Sequence, residues 1–178
     1  MVEESRRGWA SSLIAMVGVA TAGWCVLGLA WFRVTSARGS DVSTVDFHTA
    51  RGLIRSIEDL PTAGGPSIGT LTSQYIHWGW WVALVVVMVL AGAAALLRLS
   101  TRVDDRAIFP LAAGVAAGLA LAWHTAVLLD LRHFFDAGNA QLSPVENRAH
   151  LAFGAYMGAV GYLMCAVASL VAWRQVDG

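Results

Sequence analysis

The chain has 178 residues, 57% of them apolar and only 13% charged, with a mean hydropathy of +0.60. A soluble domain carries about 25% charged and 45–50% apolar residues, so this composition excludes disorder and argues for a membrane protein. Twelve basic residues balance twelve acidic ones, which removes the basic face that tracking a nucleic-acid backbone requires. All the basic residues are Arg, and with abundant Ala, Gly and Val they suggest a GC-rich bacterial genome. Two cysteines, Cys25 and Cys165, are too few for a disulfide scaffold or a multi-thiolate metal site. At this length one membrane domain, residues 1–178, is expected.

A helix needs about 20 mostly apolar residues to cross a bilayer. The first such stretch is Trp9–Phe32, preceded by Ser5-Arg6-Arg7-Gly8. The twin Arg could mark an export signal cleaved near Ala37, but the apolar run exceeds the about 7–15 residues of a signal core. It is read as a retained first span. Gly18 and Ala22 give it a small-xxx-small face for close helix packing.

A loop, Arg33–His77, follows. Within Ser43–Leu60 the residues Phe47, Ala50, Leu53, Ile54, Ile57 and Leu60 recur at three- and four-residue steps. Ser43 as a capping signal and Pro61 as a stop predict an amphipathic helix over about 44–60. Its apolar stripe would lie in the headgroup zone, cover the bundle or dock on a partner. Pro61–Pro66 is a turn region rich in Gly and Pro.

The second span is Trp78–Leu97, whose bulky Val82–Leu90 suits a lipid-facing or groove-filling helix. The third is Ala107–Leu131, with Gly114 and Gly118 four residues apart. The fourth is Ala149–Trp173, with Gly154 and Gly158 in the same relation. The predicted fold class is thus an all-α integral membrane protein: a four-helix transmembrane bundle with one amphipathic helix between the first two spans. Its layout resembles that of claudin-like tetraspans. The loop signature of that family contains Trp and Cys, however, and Arg33–His77 has no Cys, so the family is not assigned.

Lys and Arg near span ends orient a bundle. With the N-terminus inside, six Arg fall on each side, so the clustered Arg98, Arg102 and Arg106 of the short second loop decide the reading. Trp31, Phe32, Tyr75, Trp78, Trp80, Trp81, Phe134 and Phe135 would form an outer aromatic belt, and Trp9, Phe109 and Trp173 an inner one. Both termini are expected in the cytoplasm and the chain in the bacterial plasma membrane.

An ionisable group inside a span is a candidate site. His124 lies about 10 Å below the outer boundary at 1.5 Å per residue, and Tyr156 reaches the same depth in the fourth span. A His124–Tyr156 hydrogen bond is expected to hold the imidazole in a structural role. A haem would need a second axial ligand, and only Met157 stands near that level. At the outer rim, His77, His133 and His150 lie at similar height with Asp130, Asp136 and Glu146, a weak candidate for zinc or copper. Asp130 is expected to pair with Arg132, Arg33 or Arg148. Cys25 and Cys165 lie about 12 Å apart along the membrane normal, beyond the about 7 Å that a disulfide allows between Cα atoms.

Phosphate-loop, Gly-x-Ser-x-Gly and His-Glu-x-x-His motifs are absent from the sequence. No carboxylate lies deep in a span, so paired-carboxylate chemistry has no basis there. The chain therefore reads as a non-enzymatic accessory subunit, without cofactor, of a larger envelope complex such as a lipid transporter, a cell-wall assembly machine or a respiratory complex. Its expected partners are other integral membrane proteins and membrane lipid, with no nucleic acid or nucleotide. A His-based metal, haem or proton-relay protein and a small lipid or quinone sensor are the alternatives.

Overall fold

A computed structural model of the chain describes residues 2–38, 41–47, 69–99, 107–141 and 147–177. Helix α1 (Val2–Gly28) leads into strands β1 (Phe32–Arg38) and β2 (Asp41–Phe47). Helix α2 (Thr70–Gln74), a π-helical turn (Tyr75–Gly79) and α3 (Trp80–Leu99) follow one another directly. Then come α4 (Ile108–Gln141), strand β3 (Asn147–Leu151) and α5 (Phe153–Asp177). Among the described residues four helices are long and apolar enough to cross a membrane, over Ala10–Gly28, Thr70–Leu97, Ile108–Phe134 and Phe153–Gln175. By length and composition this is a multi-pass membrane protein.

Helix is the only outcome for these stretches in lipid, because each backbone N–H and C=O must find its partner within the segment. Pro110 does not interrupt α4, because it sits in the first turn, where a missing N–H leaves no intrahelical bond unmade. The helix runs ten residues past the predicted end at Leu131.

The chain divides into two compact units. The first comprises Met1–Gly23, Trp81–Ala122 and Gly158–Gly178, with a contribution from each of the four long helices. Its core is built largely of small residues: Ala15, Val19 and Ala22; Val87 and Ala91; Ala113, Ala117 and Ala120; Tyr162, Cys165, Ala166 and Ala168. Leu13, Val17, Val89, Leu119, Leu163 and Val167 point outward and are exposed. This inverts a soluble protein and suits lipid. Where the solvent is as apolar as Leu, large side chains gain nothing by burial, and small ones let backbones approach closely. Val85, Val86, Met88 and Val89 are exposed on the second span, as its bulky run suggested, while Val87 is buried.

The closest seam joins α1 to α5. A Cβ on Gly18 would stand 2.7 Å from the Cys165 nitrogen and 2.8 Å from the Gly161 oxygen. One on Gly161 would stand 2.5 Å from the Ala22 nitrogen. Ser11 also donates to Gln175 Oε1 at 3.2 Å between the same helices.

The second unit comprises Trp24–Trp80 and Trp123–Met157. It holds a three-stranded antiparallel sheet in the order β2-β1-β3, with Phe32 in register with Phe47 on one side and Leu151 on the other. Beside it Val26, Trp31, Phe32, Tyr75, Ile76, Val127 and Leu131 form an aromatic-rich core. Backbone bonds from Ala152 N–H to the Trp31 oxygen (2.9 Å) and from Gly154 N–H to the Ala30 oxygen (3.1 Å) tie the exit of α1 to the entry of α5.

The four long helices agree with the expected helical membrane bundle, and this sheet is an addition to it that the expectation lacked. Residues 43–47, including Phe47, belong to a strand and not to the start of an amphipathic helix. The rest of that predicted helix, with Leu53, Ile54, Ile57 and Leu60, lies outside the described residues. The reason is strand pairing. β1, which ends just upstream, is the template along which 41–47 pairs over its whole length, and β3 covers the other edge of β1. The first span accordingly ends at Gly28, and the fourth begins at Phe153 because Asn147–Leu151 is strand.

Candidate functional site

His124 is fully buried in the second unit and held from both sides. Its Nε2 lies 2.8 Å from the Ala155 carbonyl oxygen, which can only accept, so Nε2 carries the proton. Its Nδ1 lies 2.7 Å from the Tyr75 hydroxyl, which donates to it in the neutral imidazole. One side chain of α4 thus joins the π-helical turn to the first turn of α5. Both ring nitrogens are engaged, and neither faces open space.

An aromatic cage completes the site. The Trp31 ring stands edge-to-face with His124 at 5.2 Å and 80°, and Tyr75 does so at 5.6 Å and 66°. Tyr75 in turn meets Trp123 at 5.3 Å, and Trp123 meets Trp78 at 5.9 Å, both near-perpendicular. Such edge-to-face pairs contribute about 0.5–1.5 kcal/mol each beyond their burial. Trp123 Nε1 donates to the Leu71 oxygen at 3.3 Å. The buried indole N–H of Trp31 makes no hydrogen bond among the described residues.

The π-helical turn aims this cluster. Trp80 N–H bonds to the Tyr75 oxygen, a five-residue step that inserts one extra residue into the turn. Gly79 closes it with no room for a side chain: a Cβ there would lie 2.5 Å from the Trp123 ring.

Other predicted residues fall elsewhere. Tyr156 is not the partner of His124; it is 50% exposed, one residue beyond the carbonyl that His124 does engage. In an α-helix the side chain and the preceding carbonyl point in different directions, so matching depth did not make them partners. Among the described residues Asp130 accepts from Gly69 N–H at 3.0 Å, and Arg132 approaches Asp136 at 3.8 Å. His77 donates from Nδ1 to the Ser73 oxygen, one turn back on its own helix, at 2.8 Å. His133 and His150 are exposed, and among the described residues no three His, Cys, Asp or Glu side chains gather as metal ligands. Cys25 and Cys165 are buried free thiols. A Cys165–Ser169 contact at 3.9 Å stays within α5.

The packing glycines divide. Gly18 and Ala22 line the seam with Gly161. A Cβ on Gly154 would meet the Ala30 oxygen at 2.6 Å, and one on Gly114 would meet Leu170 at 3.0 Å. Gly158 is buried. Gly118 has nothing within 4 Å and is no packing residue among the described contacts. Four-residue spacing alone does not mark Gly161, but Gly154, Gly158 and Gly161 stand at i, i+4 and i+7 on one helix face. In the sequence Tyr75 and Trp31 carry only the signal of belt aromatics. A scan against protein-family models matches none, and a search of curated proteins finds no match.

Proposed function

We propose that the chain is a non-catalytic accessory or stabilising subunit of a larger complex in the bacterial plasma membrane, with both termini cytoplasmic. One observation carries this reading. His124, the one histidine deep in a predicted span, has both nitrogens committed to Tyr75 and Ala155 inside an aromatic cage. A catalytic or ligand-binding imidazole needs a nitrogen directed at a reacting atom or a metal, whereas this one fastens helices together. The remaining surface offers contacts of several kinds, with exposed aliphatic side chains on all four long helices and exposed aromatic ones on α1, α3 and α5. Its partners are other integral membrane proteins and lipid. A lipid transporter, a cell-wall assembly machine or a respiratory complex would suit as host.

The test is purification of the tagged native protein in mild detergent, with identification of every stoichiometric co-purifying chain. Reproducible integral membrane partners are the expected result. A single homogeneous species would overturn the accessory reading and direct attention to a redox or proton-relay role for His124 and the rim histidines.

A further inference from the structure

The second unit contains a cleft of about 430 Å³, lined by Leu29, Arg33, His150, Leu151, Phe153 and Gly154 among others. That volume lies within the range of small-ligand sites, about 300–1,000 Å³. Two features define what it can take. Arg33 on β1 and His150 on β3 are directly opposed in the antiparallel register, so their side chains project from the same face of the sheet. Both are exposed and both line the cleft. Arg33 offers a fork of five N–H donors, enough to serve more than one acceptor, and an imidazole adds another. Two backbone donors at the start of α5 are already used, Gly154 N–H by the Ala30 oxygen and Ala155 N–H by the Ala152 oxygen.

The second feature is height. The first apolar window ends at Gly28 and the fourth begins at Phe153, so the cleft brackets the two span boundaries where headgroups lie. Phe153, 69% exposed, lines the cleft, and Leu27 and Trp24, also exposed, stand in the last turns of the first span. Donors above and an apolar surface below match one ligand geometry, a headgroup with its acyl chains.

We infer that this cleft binds the phosphate headgroup of an anionic phospholipid, held by Arg33 and His150, with acyl chains along Phe153 and the exposed end of α1. The site rests on the helices crossing a membrane and not on the accessory role, so lipid binding and partner recovery fail independently.

The experiment is native mass spectrometry of the full chain in mild detergent, titrated with phosphatidylglycerol, phosphatidylcholine or inorganic phosphate. Saturable binding of phosphatidylglycerol in preference to phosphatidylcholine is expected. The double substitution Arg33→Gln, His150→Gln is expected to weaken it about tenfold, in line with losing charge-assisted hydrogen bonds. Arg132→Gln, at the exposed pair with Asp136, is expected to leave it unchanged. Equal binding of the two lipids, or undiminished binding by the folded double variant, overturns the site. Binding of inorganic phosphate without phosphatidylglycerol overturns the lipid in favour of a soluble phosphate compound. The comparison of lipids uses the native chain and therefore stands even if the double variant does not fold.

Discussion

Two alanine substitutions, chemically identical and both in transmembrane helices, are expected to part company. A Cβ on Gly161 would lie 2.5 Å from the Ala22 nitrogen, 2.7 Å from the Gly18 oxygen and 2.9 Å from the Ala22 Cα. All three are backbone atoms, so no side chain can rotate away. Relief requires α1 and α5 to separate by about 1 Å, since comfortable contacts lie near 3.5–4.0 Å. That separation also loosens the contacts around Gly18, which already sits against Cys165 and Gly161. Overpacking of this kind costs about 1–3 kcal/mol. At Gly118, by contrast, nothing lies within 4 Å of the new methyl group. Alanine carries the same intrinsic helix advantage over glycine at both sites, about 0.8–1.0 kcal/mol, so that contribution cancels between the variants. Gly161→Ala is therefore expected to be less stable than Gly118→Ala by about 1–3 kcal/mol. Reversible unfolding in mixed micelles with increasing dodecyl sulfate, followed by circular dichroism, measures the difference. Equal stability of the two variants, or a more stable Gly161→Ala, would refute the close seam between α1 and α5.

Tyr75→Phe removes the donor to His124 Nδ1 and leaves a buried nitrogen unsatisfied, a loss of about 1–3 kcal/mol in the same unfolding assay. Tyr156→Phe touches an exposed hydroxyl and should stay within about 0.5 kcal/mol of the native chain. Gly79→Ala drives a methyl group into the Trp123 ring, so intrinsic tryptophan emission should change; an unaltered spectrum would contradict the close approach at the π-helical turn. Cys25 and Cys165, at 2% and 0% exposure, should resist maleimide in mild detergent and react fully once unfolded, whereas rapid native labelling of either would place it wrongly.

The membrane-spanning helices were legible because their signal is local. Twenty apolar residues with Arg at the ends announce a span whatever lies beside it. The sheet was not, because its cause lies far away in sequence: β1 pairs with β3 across more than a hundred residues. One local signal was nevertheless available. Phe32–Arg38 and Asp41–Phe47 both contain Val and Thr, and Gly39-Ser40 between them is a two-residue hairpin connection by sequence. The three-residue steps that begin at Phe47 outweighed it, although Val42, Thr44 and Val45 favour a strand. Helix ends suffered similarly. Leu131 looked like a boundary because Arg132 follows, yet a helix leaves the bilayer without stopping when its next residues are polar but not helix-breaking, and α4 continues to Gln141.

The seams show what pattern reading gives and withholds. Small residues at four-residue spacing mark a face on which backbones can approach, but not which helix arrives there. Gly18, Ala22 and Gly161 meet, while Gly118 meets nothing within 4 Å. The same gap explains His124. Depth arithmetic selected Tyr156 because both lie in spans and both were counted from a boundary. By hydropathy Tyr75 falls on the loop side of a span that starts at Trp78. In the structure the helical path begins at Thr70, and the extra residue in the π-helical turn brings the Tyr75 hydroxyl to the imidazole. A buried histidine needs a donor and an acceptor, and here a side chain supplies one and a first-turn carbonyl supplies the other. That carbonyl, Ala155, has no signature in sequence at all. The Ala30–Gly154 backbone bond ties the entry of α5 to the exit of α1, one residue before the carbonyl that His124 engages.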